Sequence, residues 1–150
     1  MIHMASSSPV NAGNHIPHKS PVKMVDAIIE WNDDEKSSVV SARVPDNSPF
    51  ANSFGIVDNE CLLEIIAQAA AAQHGFNLFR DGQAEEQGFI AGVNFMKITE
   101  PVHVNEPLFV SVKCGTEISS LSVVNGIIRS RNGRLKAEAA ITVWHGRFSD

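Results

Sequence analysis

Residues 59 to 75, NECLLEIIAQAAAAQHG, read as a helix with almost no polar face. With Glu64 set at zero and 100° per residue, Glu60 falls at about −40° and Gln68 at about +40°. Cys61, Leu62, Leu63, Ile65, Ile66 and the alanines take nearly all of the remaining circumference. A helix that is apolar on almost every side must be surrounded. Asp58 or Asn59 can supply its N-cap, the ladder from Cys61 to His74 contains no Pro or Gly, and Gly75 suits a left-handed C-terminal position.

Strand patterns supply the surroundings. KMVDAIIEW (23 to 31) and SSVVSARV (37 to 44) read as a hairpin closed by the polar turn NDDEK. PDNSPFANSFG, rich in Pro, Asn, Ser and Gly, is an irregular connection into the helix. After Gly75 the period changes: GFIAGVNFMKI (88 to 98), LFVSVKCGTEI (108 to 118), LSVVNGIIRS (121 to 130) and RLKAEAAITVWHGRF (134 to 148) are strand-like. Asn132-Gly133 joins the last two as a tight hairpin. One long helix with about five to six strands gives an α+β domain in which a curved antiparallel sheet wraps the helix. That domain is expected over residues 16–150, after a leader of residues 1–15 expected to be disordered, being small, polar and rich in Ser, Pro, Gly and Asn.

Composition narrows the function. A chain of 150 residues, 43% hydrophobic and 19% charged, suits one globular domain. A formal charge of −5 without an aromatic-rich basic stripe argues against nucleic-acid binding. The leader lacks a secretory apolar run, and the helix, interrupted by Glu60, Glu64 and Gln68, is too short to span a bilayer, so a soluble cytoplasmic protein is expected. Cys61 and Cys114 lie far apart in apolar patterns and read as small buried hydrophobes. His15 and His18 form an H-x-x-H without a third ligand, so no metal is expected, and no nucleotide loop or catalytic serine motif points to another cofactor or chemistry. His74 lies at the expected helix end, where a cation suits the dipole, and His103 and His145 sit in strand or turn contexts. Trp31 and Trp144 read as packing residues.

Pattern alone leaves two readings of Glu64: an exposed carboxylate on the single wet seam, or one beside a buried interior, where it is costly unless paired or protonated. Here the chain resembles a known family. LLEIIAQAAAA, preceded by IPHKSPVKMVDAIIEW and followed by GFIAGVNFMKITEPVHVNEPLFVSVK, is similar to the 3-hydroxyacyl-[acyl-carrier-protein] dehydratases of the hot-dog fold, and more closely to their shorter branch linked to aryl polyene lipid pathways. The similarity covers about residues 16 to 144. It implies a sheet wrapped around the helix, a homodimer or higher oligomer whose sheets join, and a tunnel for an acyl chain held as a thioester on phosphopantetheine, carried by acyl carrier protein or coenzyme A. It also implies that Glu64 is catalytic and that Gln68, one turn later, orients it through a hydrogen bond.

Eliminating water from a 3-hydroxyacyl thioester needs a base for the C2 proton and an acid for the departing C3 hydroxyl. A His near neutral pH suits the first role and a partly buried Glu with a raised pKa the second. Backbone N–H groups at the helix N-terminus, from Asp58 to Cys61, can polarise the thioester carbonyl. Asp58, Asn59 and the preceding Gly55 are therefore candidate substrate-binding residues. The major family places its catalytic His in a Gly-His-Phe-Pro segment before the helix, whereas this chain has PFANSFGIVDN, with no His and with Asp58 where a Gly is usual. The shorter branch lacks the same His and keeps that of IPHKSP, which points to His18 as the partner of Glu64.

Arg129, Arg131, Arg134 and Lys136 cluster around the last hairpin turn. They are either a solvated turn or a docking patch for an acidic carrier protein. Three functions follow: the dehydratase, a hot-dog thioesterase in which the helix carboxylate activates water or attacks the thioester, and a non-catalytic acyl-binding chain that works with a second hot-dog subunit.

Overall fold

A computed structural model describes residues 2–4, 9–16 and 23–146. The elements run β1 (Ile2–Met4), β2 (Val10–Asn11), a 3₁₀ turn (Ala12–His15), β3 (Val25–Asn32), β4 (Ser37–Ala42), α1 (Asn59–Arg80), β5 (Gln87–Ile98), β6 (Leu108–Cys114), β7 (Leu121–Ser130) and β8 (Leu135–Gly146). The strands form one antiparallel sheet in the order β1-β3-β4-β6-β7-β8-β5, with β2 also paired to β3. Both predicted hairpins form, β3 with β4 and β7 with β8. At the second, Gly133 takes φ +86, which an L side chain would resist, and the Gly133 and Arg134 backbones close onto Ser130.

Strand alternation turns Val40 and Ala42 of β4, Leu108, Val110 and Val112 of β6, Val124 and Ile128 of β7, and Ala137, Ala139 and Ile141 of β8 toward α1, all at most 4% exposed. Opposite them Cys61, Leu62, Ile65, Ile66, Ala69, Ala70 and Ala72 fill the core. Small residues on the sheet set how closely the helix lies: a Cβ on Gly126 would fall 2.5 Å from Cγ2 of Ile66. The expected arrangement, one long helix on an antiparallel sheet, is the one the chain adopts, with eight strands among the described residues where five to six were expected.

Three local expectations need correction. Gly75 does not end the helix, which runs on to Arg80, with Gly82 taking the left-handed conformation at φ +68 beyond it. Gly75 serves close approach instead, because a Cβ there would press into the carbonyl oxygen of His15. The predicted strand over 108 to 118 stops at Cys114, and Ile118 folds back to bridge Leu121. The N-terminal stretch contributes more structure than a leader would: Val10–Asn11 pairs with β3, Asn11 Oδ1 accepts the Gly13 N–H, and Ala12 is fully buried against the core.

Candidate active site

The connection before α1 is irregular but tightly bonded. Asn52 Oδ1 accepts the N–H groups of Phe54 and Ile56, both at 2.9 Å, and Gly55 turns at φ +76. Val57 N–H then donates to Val102 O, Val104 N–H to Gly55 O, and Asp58 N–H to Phe50 O, which fixes the entry to the helix. Asp58 is the N-cap residue with extended backbone, yet its exposed side chain makes no capping bond. Asn59 and Glu60 are exposed beside it. Gly55, Asp58 and Asn59 thus form one well-anchored corner at the positive end of the α1 dipole.

Glu64 lies one helical turn inward and is half-buried. Gln68, which the pattern places on the same polar strip, is fully buried. Its Oε1 accepts the Met24 N–H at 2.8 Å, and its Nε2 points at Glu64 Oε1 at 3.4 Å. Met24 also covers the neighbouring turn, its Sδ lying 3.2 Å from the Cys61 thiol. Burial, with smaller contributions from the charges of Glu64 and Asp58, pushes that thiol up to about 12. The helical strip is therefore not a wet seam along its length: residues entering β3 roof it at Gln68 and leave Glu64 partly open. That geometry aims a carboxylate out of a covered strip with one oxygen held by an amide donor.

His18, the other predicted catalytic residue, lies outside the described residues. The described chain on either side of it rests on α1. His15 sits over Gly75 with its ring against Phe76 and Phe79, and Met24 sits over Gln68 and Cys61.

The basic cluster is only partly available. Arg134 pairs with Glu100, Lys136 lies 3.0 Å from Glu106 and 3.5 Å from Glu100, and Arg129 donates to Gly133 O. Arg131 stays exposed. Arg131, Arg134 and Lys136 line an open groove of about 600 Å³ with Glu100, Glu106 and Ser130, away from Glu64. The loop of residues 99–107 links this groove to the helix entrance, since it also bonds Gly55 and Val57.

One constellation has no signature in the sequence. His74, Glu86 and His145 come from α1, the connection before β5 and the end of β8, and their ligand atoms lie within 4.8 Å of one another. No motif spacing relates these three positions, so folding alone assembles them.

An antiparallel sheet wrapped against one long helix is the hot-dog fold. The model of the ApeP-like family, described as ApeP dehydratase, matches residues 10–149, and the chain belongs to that family. It is 24% identical over 131 residues to the 3-hydroxyacyl-[acyl-carrier-protein] dehydratase FabZ of Streptococcus agalactiae serotype III (strain NEM316), covering 85% of this chain and 89% of that enzyme. Among solved structures, the dehydratase heterocomplex ApeI:P from Xenorhabdus doucetiae superposes with a TM-score of 0.80 at 15% identity, over 92% of each chain. A hypothetical thioesterase with coenzyme A from Streptococcus pneumoniae TIGR4 superposes with 0.55 at 16% identity, over 77% and 83%.

Proposed function

We propose that the chain dehydrates a 3-hydroxyacyl thioester to the trans-2-enoyl thioester on acyl carrier protein, in fatty-acid-like or polyene lipid synthesis. The observation that carries this reading is the half-buried Glu64 held by a fully buried Gln68, in a chain of a dehydratase family. In the proposed reaction His18 removes the C2 proton, Glu64 protonates the C3 hydroxyl, and water leaves as the C2–C3 double bond forms. Gln68 holds the carboxyl in place, and N–H groups in the first turn of α1, which lack intrahelical partners, take the charge growing on the thioester oxygen.

A second hot-dog subunit completes this assignment. β5 lies at the edge of the sheet and exposes Phe89, Val93 and Phe95 by 50% or more. An unpaired strand edge with an apolar face calls for a partner strand, from a second copy or a related chain. The complex of ApeI with ApeP in the Xenorhabdus structure supports the related chain as a candidate. Among the described residues no helix is long and apolar enough to cross a membrane, and action in the cytoplasm, on carrier-borne substrate, is part of the proposal.

The test is turnover of a short (3R)-hydroxyacyl thioester on carrier protein, following enoyl product and free thiol. Glu64→Gln and His18→Ala are each expected to lose roughly 10²–10⁴-fold. Free thiol without enoyl product would transfer the assignment to a thioesterase. Turnover that appears only on adding a second hot-dog chain would make this chain one half of the enzyme.

A further inference from the structure

We infer that His74, Glu86 and His145 form a binding site for one divalent transition-metal ion, with Zn²⁺ the best-suited occupant. The three side chains converge on one carboxylate oxygen. Glu86 Oε1 lies 2.6 Å from His74 Nε2 and 3.4 Å from His145 Nδ1, and the two imidazole rings tilt over one another with centroids 4.5 Å apart. Two imidazole nitrogens and a carboxylate oxygen are a donor set that suits zinc and its neighbours, not magnesium or calcium.

The spacing fits after small movements. Zinc bonds of about 2.0–2.2 Å in tetrahedral geometry place ligand atoms roughly 3.4 Å apart. The His145–Glu86 separation of 3.4 Å already meets that value. The His74–Glu86 contact has to open by less than about 1 Å, and the two imidazole nitrogens, within 4.8 Å of each other, have to close by at most about 1.4 Å, both side-chain adjustments.

A fourth side chain gives an independent reason. The far nitrogen of His145, Nε2, lies 3.4 Å from Glu117 Oε2. A carboxylate behind a ligating imidazole fixes its tautomer and ring plane, the usual support for a metal-bound His. A metal on Nδ1 would leave the His145 proton on Nε2, facing the half-exposed Glu117 carboxylate. Without an ion, Nδ1 can donate to Glu86 Oε1 across 3.4 Å, and the metal would take the place of that proton.

Access and consequence also agree. His74 and Glu86 keep 36% and 23% of their side-chain surface open, so an ion can enter from solvent, while His145 at 13% anchors the floor. Three protein ligands leave a fourth position for water. The site lies about ten residues along α1 from Glu64, roughly 15 Å at the helical rise. Bound metal would tie the C-terminal half of α1 to both strands of the β5–β8 pair, which places the ion in a structural role.

The experiment uses the full chain, freed of any affinity tag and of metal by a chelator, then titrated with Zn²⁺ and separately with Co²⁺. Expected are one ion per chain, a rise in Tm with Zn²⁺, and the visible absorption of tetrahedral Co²⁺. Glu86→Gln and His74→Asn should each weaken binding more than tenfold, and Glu117→Gln about 10–100-fold, with circular dichroism verifying that each variant is folded. Wild-type protein that takes up no Zn²⁺ and keeps its Tm would overturn the site, leaving a proton-shared His–Glu–His network. Uptake unchanged in both Glu86→Gln and His74→Asn would overturn it equally, placing the ion elsewhere.

Discussion

Gln68 bonds the backbone of Met24 with one end of its amide and Glu64 with the other, at 2.8 and 3.4 Å. The entry of β3 and the predicted catalytic carboxylate therefore share a single buried side chain. In the proposed mechanism fold and function meet at that amide, so substitution there is expected to affect both.

Gln68→Leu leaves the Met24 N–H buried without its acceptor, which costs about 1–3 kcal/mol. Chemical denaturation is expected to read that loss. Because Gln68 positions Glu64 and does not touch substrate in the proposed mechanism, kcat should fall while KM stays nearly constant. A rise in KM alone would point to a purely structural role.

Gly75→Ala tests the contact between α1 and the N-terminal turn. In a free helix this change favours folding by about 1 kcal/mol. Here the new Cβ presses into the His15 carbonyl, and overpacking of that kind costs about 1–3 kcal/mol. The sign of the change in urea midpoint decides between a close approach at Gly75 and an ordinary helical site.

Both thiols should resist alkylation. Burial pushes Cys61 up to about 12 and Cys114 up to about 11, from an ordinary 9.0. The folded state thus holds each thiol protonated, and the associated stability is full below pH 9 and is lost as pH rises through 11 to 12. Iodoacetamide at pH 8 is expected to modify neither cysteine until denaturant is added. Rapid native labelling of Cys61 would mean that the strip around Met24 opens.

Arg131 is the side chain of the basic groove best placed to meet an incoming anion, since Arg134 and Lys136 already hold Glu100 and Glu106. Arg131→Glu should lower kcat/KM several-fold for substrate on carrier protein and leave a short pantetheine thioester unchanged. Equal effects on both substrates would remove the groove from carrier docking.

Much of this was legible in order along the chain. Alternation over 37 to 44 and 121 to 130, the Asn132-Gly133 turn and the helical ladder from Cys61 place their elements because each depends on contacts between near neighbours. The i, i+4 spacing of Glu64 and Gln68 likewise puts both on one strip before any folding is considered. That strip's environment was not legible. Whether Gln68 faces water or Met24, and whether Gly75 ends a helix or receives a carbonyl, depends on which distant segment lies over α1.

The same limit explains why the order of Val10 to His15 and the meeting of two histidines with Glu86 were not legible. A polar stretch such as Val10 to His15 gains order only once β3 and α1 supply a surface to pair with and pack on. His74, Glu86 and His145 meet only when β5 and β8 zip beside the end of the helix. Local periodicity records which face a residue takes within its own element. Docking one element on another then decides what that face meets, because hydrophobic burial drives the collapse without direction while polar contacts are specific and short in range.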